Sequence, residues 1–355
     1  MSKWISLLFD LNVQREDHRP CTRTHPVLYG YHGELLFEAQ DPMRISVGVC
    51  TYNGEAYLRQ QLDSILQQTV PVDEIIICDD ASSDNTYAIL EEYRSDHPKL
   101  IRIKRNPKNL KSIKNFEQVL SLCSGDIIFL SDQDDIWASN KVEEYIRYFA
   151  AHPDVQVLCS NGHIIDQEDT IIDAITIWDV PHILAQRGEK INYFYSICYC
   201  GNIATGAAMA IKKDYLPHVL PIPDGQEMHH DEWIALTASF QNAFALLNEK
   251  LFYYRVHPHQ QIGGTSYPNT ARSVSKLYRR FLTSDHSVSS LKRRMKKAAL
   301  TYHYLMKVKD ISDKRLMRKE ILTSYQHLKK RLIAYHPILG RMIYILEKRK
   351  IKEYK

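Results

Sequence analysis

Two acidic clusters, residues 79–84 and 132–135, each directly follow a short apolar run of the sequence. Carboxylates at this density repel one another unless a cation compensates them, and Mg²⁺ and Mn²⁺ prefer carboxylate oxygens. An Asp-x-Asp at a strand end can hold such a cation with few protein ligands and leave coordination positions for diphosphate oxygens. The structural alternative is a turn with a helix N-cap, where Asp and Ser are also favoured. That alternative has more force for residues 79–84 than for residues 132–135.

β-type runs alternate with helical patterns through the first half of the chain. The β-type runs cover residues 45–50, 74–78, 100–104, 126–130 and 155–159. The helical patterns cover residues 55–68, 86–94, 112–122 and 141–151. This alternation predicts an α/β fold with a doubly wound, mostly parallel sheet flanked by helices. Ligands of such sheets bind beyond the carboxyl ends of the strands. Residues 51–53, 79–84 and 131–135 should therefore surround one crevice.

A set of motifs occurs in order between residues 44 and 260. They are Ile-Ser-Val-Gly-Val-Cys-Thr-Tyr-Asn-Gly from Ile45, Ile-Ile-Ile-Cys-Asp-Asp-Ala-Ser-Ser-Asp from Ile75, Asp-Gln-Asp-Asp-Ile-Trp from Asp132, Thr-Gly-Ala-Ala-Met from Thr205, His-Asp-Glu-Trp from His230 and Tyr-Arg-Val-His from Tyr254. Each motif alone is weak, but the ordered set resembles glycosyltransferase family 2. The forms at Asp132 and His230 are most similar to bacterial rhamnosyltransferase-like members.

The resemblance implies a GT-A fold and a reaction that inverts the anomeric carbon. The residues that it places around the nucleotide are Thr51, Tyr52, Asn53, Glu55, Asp80 and Ser82. It places Asp132, Asp135 and Arg255 at the donor sugar and diphosphate, and it assigns Asp134 and His257 to a bound Mn²⁺ or Mg²⁺.

An inverting transfer needs one base to remove the proton of the acceptor hydroxyl, and Asp231 is our candidate. Its alternative role is to cap a helix over residues 232–239. His230 departs from the family pattern, in which an acidic residue often precedes this Asp. Trp137 and Trp233 flank the acidic residues and could form an acceptor or sugar platform, although core packing explains them equally well.

The resulting hypothesis is a metal-dependent inverting glycosyltransferase that uses a dTDP- or UDP-linked sugar, with rhamnose the favoured sugar. The expected acceptor is a saccharide, free or lipid-linked, in surface polysaccharide synthesis. A nucleotidyltransferase would be expected to carry a Gly-rich basic loop after its first strand, and a dehydrogenase a GxGxxG motif, and residues 51–55 fit neither. A non-catalytic nucleotide-binding or membrane-scaffold protein is the remaining alternative.

The net charge of +4 hides an acidic body and a basic tail. Residues 271–355 hold 24 Lys and Arg against 6 Asp and Glu, whereas residues 1–270 hold 22 against 36. We therefore predict a loosely structured extension over residues 1–42, a GT-A domain over residues 43–264 and a basic helical region over residues 265–355. The basic helices could bind an anionic membrane or pack on protein; nucleic-acid binding is the least favoured alternative.

The seven cysteines show neither CxxC pairs nor zinc spacing, which favours a reducing compartment. No secretory signal is evident, and the uncharged stretch 191–211 contains too many Asn, Ser, Thr and Gly residues for a good membrane span. We expect a cytoplasmic protein with peripheral association at the inner face of the plasma membrane.

Overall fold

The computed structural model describes residues 43–224, 228–258, 260, 266–308, 312–338 and 340–343. The described residues belong to one compact unit that begins at Met43. The expected extension over residues 1–42 lies outside the described residues, as do residues 344–355 of the predicted basic helical region. The boundary predicted near residue 264 stays a prediction.

A curved sheet organises the fold. Its strands are β1 (Ile45–Thr51), β2 (Glu74–Asp79), β3 (Ile101–Arg105), β4 (Ile127–Ser131), β5 (Ile136–Trp137), β6 (Val157–Ile165), β7 (Ile171–Ile172), β9 (Ala210–Lys212) and β10 (Phe244–Arg255). A separate pair contains β8 (Ala174–Thr176) and β11 (Ser266–Pro268). The main order is β3-β2-β1-β4-β9-β6-β10-β5, and β7 pairs with β6. The pairs β1–β2, β1–β4, β2–β3 and β6–β10 are parallel.

Helices pack against this sheet and continue beyond it. They are α1 (Leu58–Leu66), α2 (Thr86–Asp96), α3 (Lys111–Leu122), α4 (Lys141–Ala151), α5 (Val180–Ala185), α6 (Tyr193–Tyr195), α7 (Leu216–Val219), α8 (His230–Phe240), α9 (Ala271–Phe281), α10 (Val288–Lys307) and α11 (Ser312–Tyr335). The predicted α/β fold, a mostly parallel sheet flanked by helices and followed by a basic helical region, is confirmed.

The apolar runs form strands because both faces of the central sheet are covered. Every residue of β1, β2 and β4 is buried, as expected for parallel strands between helices. Leu58, Leu62 and Ile65 form the buried stripe of α1. This helix begins three residues later than predicted, because the carbonyl of Gly54 accepts bonds from the amides of Tyr57 and Leu58 and closes a turn there.

Residues 191–211 form α6, the π-turn Ser196–Cys200, the 3₁₀ turn Gly206–Ala208 and the start of β9. Within the described residues, every helix is too short or too polar to cross a bilayer. The cysteines of the described region are free and buried: Cys50, Cys78, Cys123, Cys159, Cys198 and Cys200.

Glu74 is a buried carboxylate at the start of β2 that ties three strands together. Its Oε1 accepts bonds from the hydroxyls of Ser46 at 2.5 Å and Ser124 at 2.9 Å, and its Oε2 pairs with Arg102. Burial alone would raise the pKa of Glu74, but the hydrogen bonds and the charge of Arg102 outweigh it and lower the pKa.

Replacing Glu74 with Gln should therefore lower the free energy of unfolding at pH 7 by about 1–3 kcal/mol. A lowered pKa stabilises the folded state above the ordinary Glu pKa, and this contribution is lost as the pH falls through the folded value. The deficit of E74Q, measured by urea unfolding, should thus shrink below about pH 4. Glu92→Gln, which removes an exposed carboxylate paired with Arg59, is the control and should leave the midpoint unchanged. Equal effects of the two substitutions would contradict this account of Glu74.

Candidate active site

The carboxyl ends of β1, β2 and β4 lie side by side at one edge of the sheet. Thr51 is in register with Asp79, and Val49 with Ser131. The loops that leave these strands consequently meet. The strand β10 runs in the same direction and brings Arg255 and His257 to the same edge.

The loops after β1 and β2 brace each other through the polar residues that we predict around a nucleotide. Thr51 and Ser82 both donate hydroxyl bonds to Oδ1 of Asp79, at 3.1 and 2.5 Å. The amide of Asn53 donates to Oγ of Ser82 at 3.0 Å, and Oε2 of Glu55 accepts from the amide of Asn85 at 2.8 Å. These hydrogen bonds hold the two loops in a fixed conformation, and the residues that make them include Thr51, Asn53, Glu55 and Ser82.

Tyr52 presents its ring to solvent, with 39% of the residue exposed. Its backbone is held by Gln133, whose Oε1 accepts from the Tyr52 amide at 2.7 Å and whose Nε2 donates to the Tyr52 carbonyl at 3.0 Å. A Cβ at the position of Gly54 would lie 2.3 Å from Oε1 of Gln133, so a larger residue there would displace the Gln133 amide from Tyr52. Sequence reasoning did not single out Gln133, although it occupies the middle of the second acidic cluster.

Asp80 is buried and anchors the loop that leads into α3. Its carboxylate accepts from the side chain of Asn106 at 2.8 Å and from the amides of Leu110 and Lys111 at 2.7 and 2.9 Å. The following residue, Ala81, has a φ of 62°, a left-handed conformation that non-glycine residues seldom adopt. The hydrogen bonds of Asp80 and the left-handed conformation of Ala81 together fix the direction in which the chain leaves β2.

The second cluster concentrates negative charge in a poorly solvated place. Burial and the charges of Asp134 and Asp231 raise the pKa of Asp132 to about 7. Burial, Asp134 and Asp132 likewise raise the pKa of Asp135 well above its ordinary value. Within the described part of the chain, no hydrogen-bond donor reaches Oδ2 of Asp135. The carboxylates of residues 132, 134, 135 and 231 therefore share one electrostatic environment.

Asp134, one of these four carboxylates, lies next to the side chain of His257. Oδ2 of Asp134 is 3.0 Å from Nε2 of His257, and the two side chains are 23% and 9% exposed. A carboxylate oxygen and an imidazole nitrogen this close, beside uncompensated carboxylates, fit a divalent cation such as Mn²⁺. The described residues contain no set of three or more His, Cys, Asp or Glu side chains placed to enclose a metal. Any cation here would depend on few protein ligands, as an open catalytic site requires.

Arg255 differs from its expected role at the diphosphate. Its side chain is completely buried; Nε donates to the carbonyl of Asp134 at 2.8 Å, and Nη2 donates to Oε1 of Gln60 at 3.0 Å. Nη1 pairs with Asp169, and the Arg255 amide donates to Oδ1 of Asp135 at 3.1 Å. In this arrangement the guanidinium fixes the backbone that carries Asp134, rather than facing the crevice.

Asp231 lies in the first turn of α8, as the helix-start pattern predicts. Its Oδ2 accepts from Nδ2 of Asn202 at 3.3 Å. Burial, above all, raises the pKa of Asp231 to about 6; the backbone amide of Glu232 opposes this rise, and the charge of Glu232 adds to it. A partly exposed carboxylate with raised basicity is suited to accept a proton near neutral pH.

The expectation that Trp137 and Trp233 form a sugar platform is corrected by the structure. Trp137 is 3% exposed and packs on Phe129, and Trp233 is fully buried, with Nε1 donating to the carbonyl of Val219 at 2.8 Å. Both rings belong to the core. His230 is also buried; it stacks on Phe116 with ring centroids 3.7 Å apart, and burial lowers its pKa to about 3, so the imidazole is neutral.

Lys141 is a buried cation near the acidic cluster that sequence reasoning missed. Its Nζ donates to the carbonyl of Ala207 at 2.8 Å and lies 3.8 Å from the centroid of the Trp137 ring. Burial lowers the pKa of Lys141 to about 7, against the charges of Asp135 and Asp132. The sequence did contain a signal for its burial, because Lys141 lies at helical spacing from Tyr145 and Phe149 on the buried side of α4.

Comparisons with known proteins find relatives among the glycosyltransferases. The glycosyl transferase family 2 model matches residues 46–212. An uncharacterized glycosyltransferase of Nostoc sp. is 26% identical over 241 residues, which cover 66% of this chain and 70% of that protein. The dTDP-rhamnosyl transferase RfbG of Shigella flexneri is 38% identical over 102 residues, or 28% of this chain and 35% of that protein. Residues 1–349 of S. aureus TarS in complex with UDP-GlcNAc align with a TM-score of 0.48 and 17% identity, covering 82% of this chain and 83% of that one.

A glycosyltransferase family 2 domain spans residues 46–212 of the chain. The predicted enzyme class, a glycosyltransferase, is confirmed. The roles of the individual site residues stay predictions.

Proposed function

We propose that this enzyme transfers a sugar from a nucleoside-diphosphate sugar to a saccharide acceptor with inversion of the anomeric carbon. One observation carries the proposal: Asp231 at the start of α8 lies close enough to the carboxylates after β4 to raise the pKa of Asp132. A donor site and an acceptor base must lie on opposite sides of one reacting carbon, and this crevice supplies both kinds of group.

The nucleotide is proposed to bind over the loops after β1 and β2. The exposed ring of Tyr52 can stack on a base, and its backbone is already fixed by Gln133. Thr51, Asn53, Glu55 and Ser82 act by holding the loop conformation, and Asp80 by anchoring residues 106–111. Such preorganisation reduces the ordering that binding would otherwise require.

Asp134 and His257 are the residues proposed to hold a divalent cation, and Asp132 and Asp135 line the donor side. When bound, the cation would stabilise the negative charge that develops on the leaving nucleoside diphosphate. Arg255 contributes indirectly, because its bond to the Asp134 carbonyl sets where that carboxylate points.

Asp231 is proposed to accept the proton of the acceptor hydroxyl. Its pKa of about 6 leaves it ionised at neutral pH, so kcat/KM should fall as the pH drops through 6.

For the donor, we propose dTDP-rhamnose as the first candidate, with UDP-linked sugars as the alternative. The support is the partial similarity to the Shigella dTDP-rhamnosyl transferase and the Asp-Gln-Asp-Asp-Ile-Trp motif. A saccharide chain on a lipid carrier is the proposed acceptor, in surface polysaccharide synthesis.

The outer face of α11 is proposed to contact an anionic membrane at the cytoplasmic side. This face exposes the apolar side chains of Leu316 and Leu322 and the basic side chains of Lys319 and Lys330. Such a surface matches the charge of anionic headgroups and the apolar layer beneath them. Membrane contact would bring the enzyme to a lipid-linked acceptor.

Replacing Asp231 with Asn should lower donor-dependent turnover by about 10²–10⁴-fold, because the general base is lost. The affinity for the donor should change little. The measurement is nucleoside-diphosphate release from dTDP-rhamnose and UDP-linked sugars with Mn²⁺, together with donor binding by calorimetry. Asp214→Asn, at an exposed position, serves as the control and should behave as wild type. Full turnover by D231N would contradict the assigned base.

Replacing Asp134 with Ala should abolish the stabilisation of the protein by Mn²⁺. We expect Mn²⁺ with nucleoside diphosphate to raise the wild-type melting temperature by several degrees relative to EDTA, since a ligand at 100 times its Kd adds about 2.7 kcal/mol. Asp214→Ala should retain the whole increase. An equal increase in D134A would show that Asp134 does not hold the cation.

Charge reversal on the outer face of α11 should weaken membrane binding. Wild type should float with phosphatidylglycerol-containing vesicles and not with pure phosphatidylcholine, whereas Lys319→Glu with Lys330→Glu should stay in the soluble fraction. The matched control reverses two exposed lysines near the β3 end of the sheet, Lys99→Glu with Lys108→Glu, and should still float. Equal flotation of the two double variants would rule out this face as the contact.

A further inference from the structure

Glu232, the residue after Asp231, forms an ion pair with a residue of the C-terminal helices. Its carboxylate Oε1 contacts Nζ of Lys297 on α10, and the two side chains are 7% and 22% exposed. A carboxylate this poorly solvated needs a partner, because removing one member of a buried pair leaves an uncompensated charge.

The position of Lys297 is fixed by the packing of α10. The helix begins with a cap in which Oγ of Ser287 accepts from the Ser290 amide at 3.3 Å, and Leu291, Met295 and Ala298 are buried. Further along, the Tyr304 hydroxyl donates to the carbonyl of Pro223 at 2.7 Å. Lys297 therefore reaches Glu232 from a helix that is anchored on both sides of it.

The charge on Glu232 matters for the proposed base because the two carboxylates are adjacent in the chain. The backbone amide of Glu232 donates to Oδ1 of Asp231 at 2.7 Å and lowers the pKa of Asp231, as His229 and the Asn202 amide also do. The side-chain charge of Glu232 acts in the opposite direction and raises this pKa. The other titratable groups that sense Asp231 come from the loop after β4, from β6 and from β10: Asp132, Cys159 and Tyr254. The carboxylate of Glu232 is in turn paired with the ammonium group of Lys297.

We propose that Lys297 is a positioning residue of the transferase, which acts through Glu232 to hold and tune the catalytic base Asp231. This inference rests on the proposed function, since it requires Asp231 to be the base. It extends the functional unit beyond the family-matched residues 46–212 into α10.

The consequence is a specific change in pH dependence. Without Lys297, the Glu232 carboxylate is uncompensated and disfavours ionisation of Asp231. The acid limb of kcat/KM for nucleoside-diphosphate release should then move upward by about 0.5–1 pH unit. Activity at pH 6 should fall about two- to sixfold relative to wild type, and activity at pH 8.5 should be close to normal.

The test compares Lys297→Met, Lys297→Arg and the double variant Glu232→Gln with Lys297→Met. K297M should show the shifted limb, K297R should keep the wild-type profile, and the double variant should return toward it because the charge on Glu232 is gone. Lys296→Met removes the same charge from the exposed neighbouring position and is the control. The double variant also provides the answer if K297M alone does not fold.

A loss in K297M that is uniform across pH, or one that Glu232→Gln does not relieve, would overturn the inference and leave Lys297 as a structural residue. Failure of the proposed function has a different signature. In that case Asp231→Asn itself would turn over normally, whatever the behaviour of the Lys297 variants.

Discussion

The mutual repulsion of carboxylates at one edge of the sheet is the constraint on which the rest of this structure depends. Asp132, Asp134 and Asp135 follow β4, and Asp231 approaches from α8, in surroundings that solvate charge poorly. Such an arrangement disfavours ionisation and is difficult to maintain without compensation. The protein compensates it in part with the buried Lys141, and we propose that the remaining negative charge attracts a cation.

The surrounding fold keeps these groups in place from several directions. Arg255 holds the backbone of Asp134 by a hydrogen bond, and Asp80 holds the loop before α3 in the same way. Gln133 holds the backbone of Tyr52. Lys297 extends this support to the C-terminal helices. Side chains beside the crevice thus act mainly by fixing others, which is the usual requirement for a preorganised site. The C-terminal region accordingly has two faces, one packed toward α8 and one exposed on α11.

The local sequence pattern was enough to predict the strands that are mainly apolar, such as β1, β2 and β4. It was also enough to predict the acidic turns that follow them. It predicted only the first residues of β6, because the polar residues Ser160 and Asn161 that continue this strand are buried in the sheet. It failed for β10, whose register shifts around Lys250 interrupt any period. The burial of Arg255, Lys141, Trp137 and Trp233 depends on partners distant in the chain, so composition and spacing could not separate core from crevice. The helix α9 lies within the predicted basic helical region, but its bounds were not predicted, because its buried side includes only Leu277 and Phe281.

The most direct test of this account is a crystal structure with Mn²⁺ and the nucleoside diphosphate of the active donor, with data collected at the manganese edge. The account predicts an anomalous peak beside Asp134 and His257, the base stacked on Tyr52, and Asp231 facing the side of the crevice opposite the diphosphate. A manganese peak remote from Asp134, or a nucleotide bound away from the β1 and β2 loops, would contradict it.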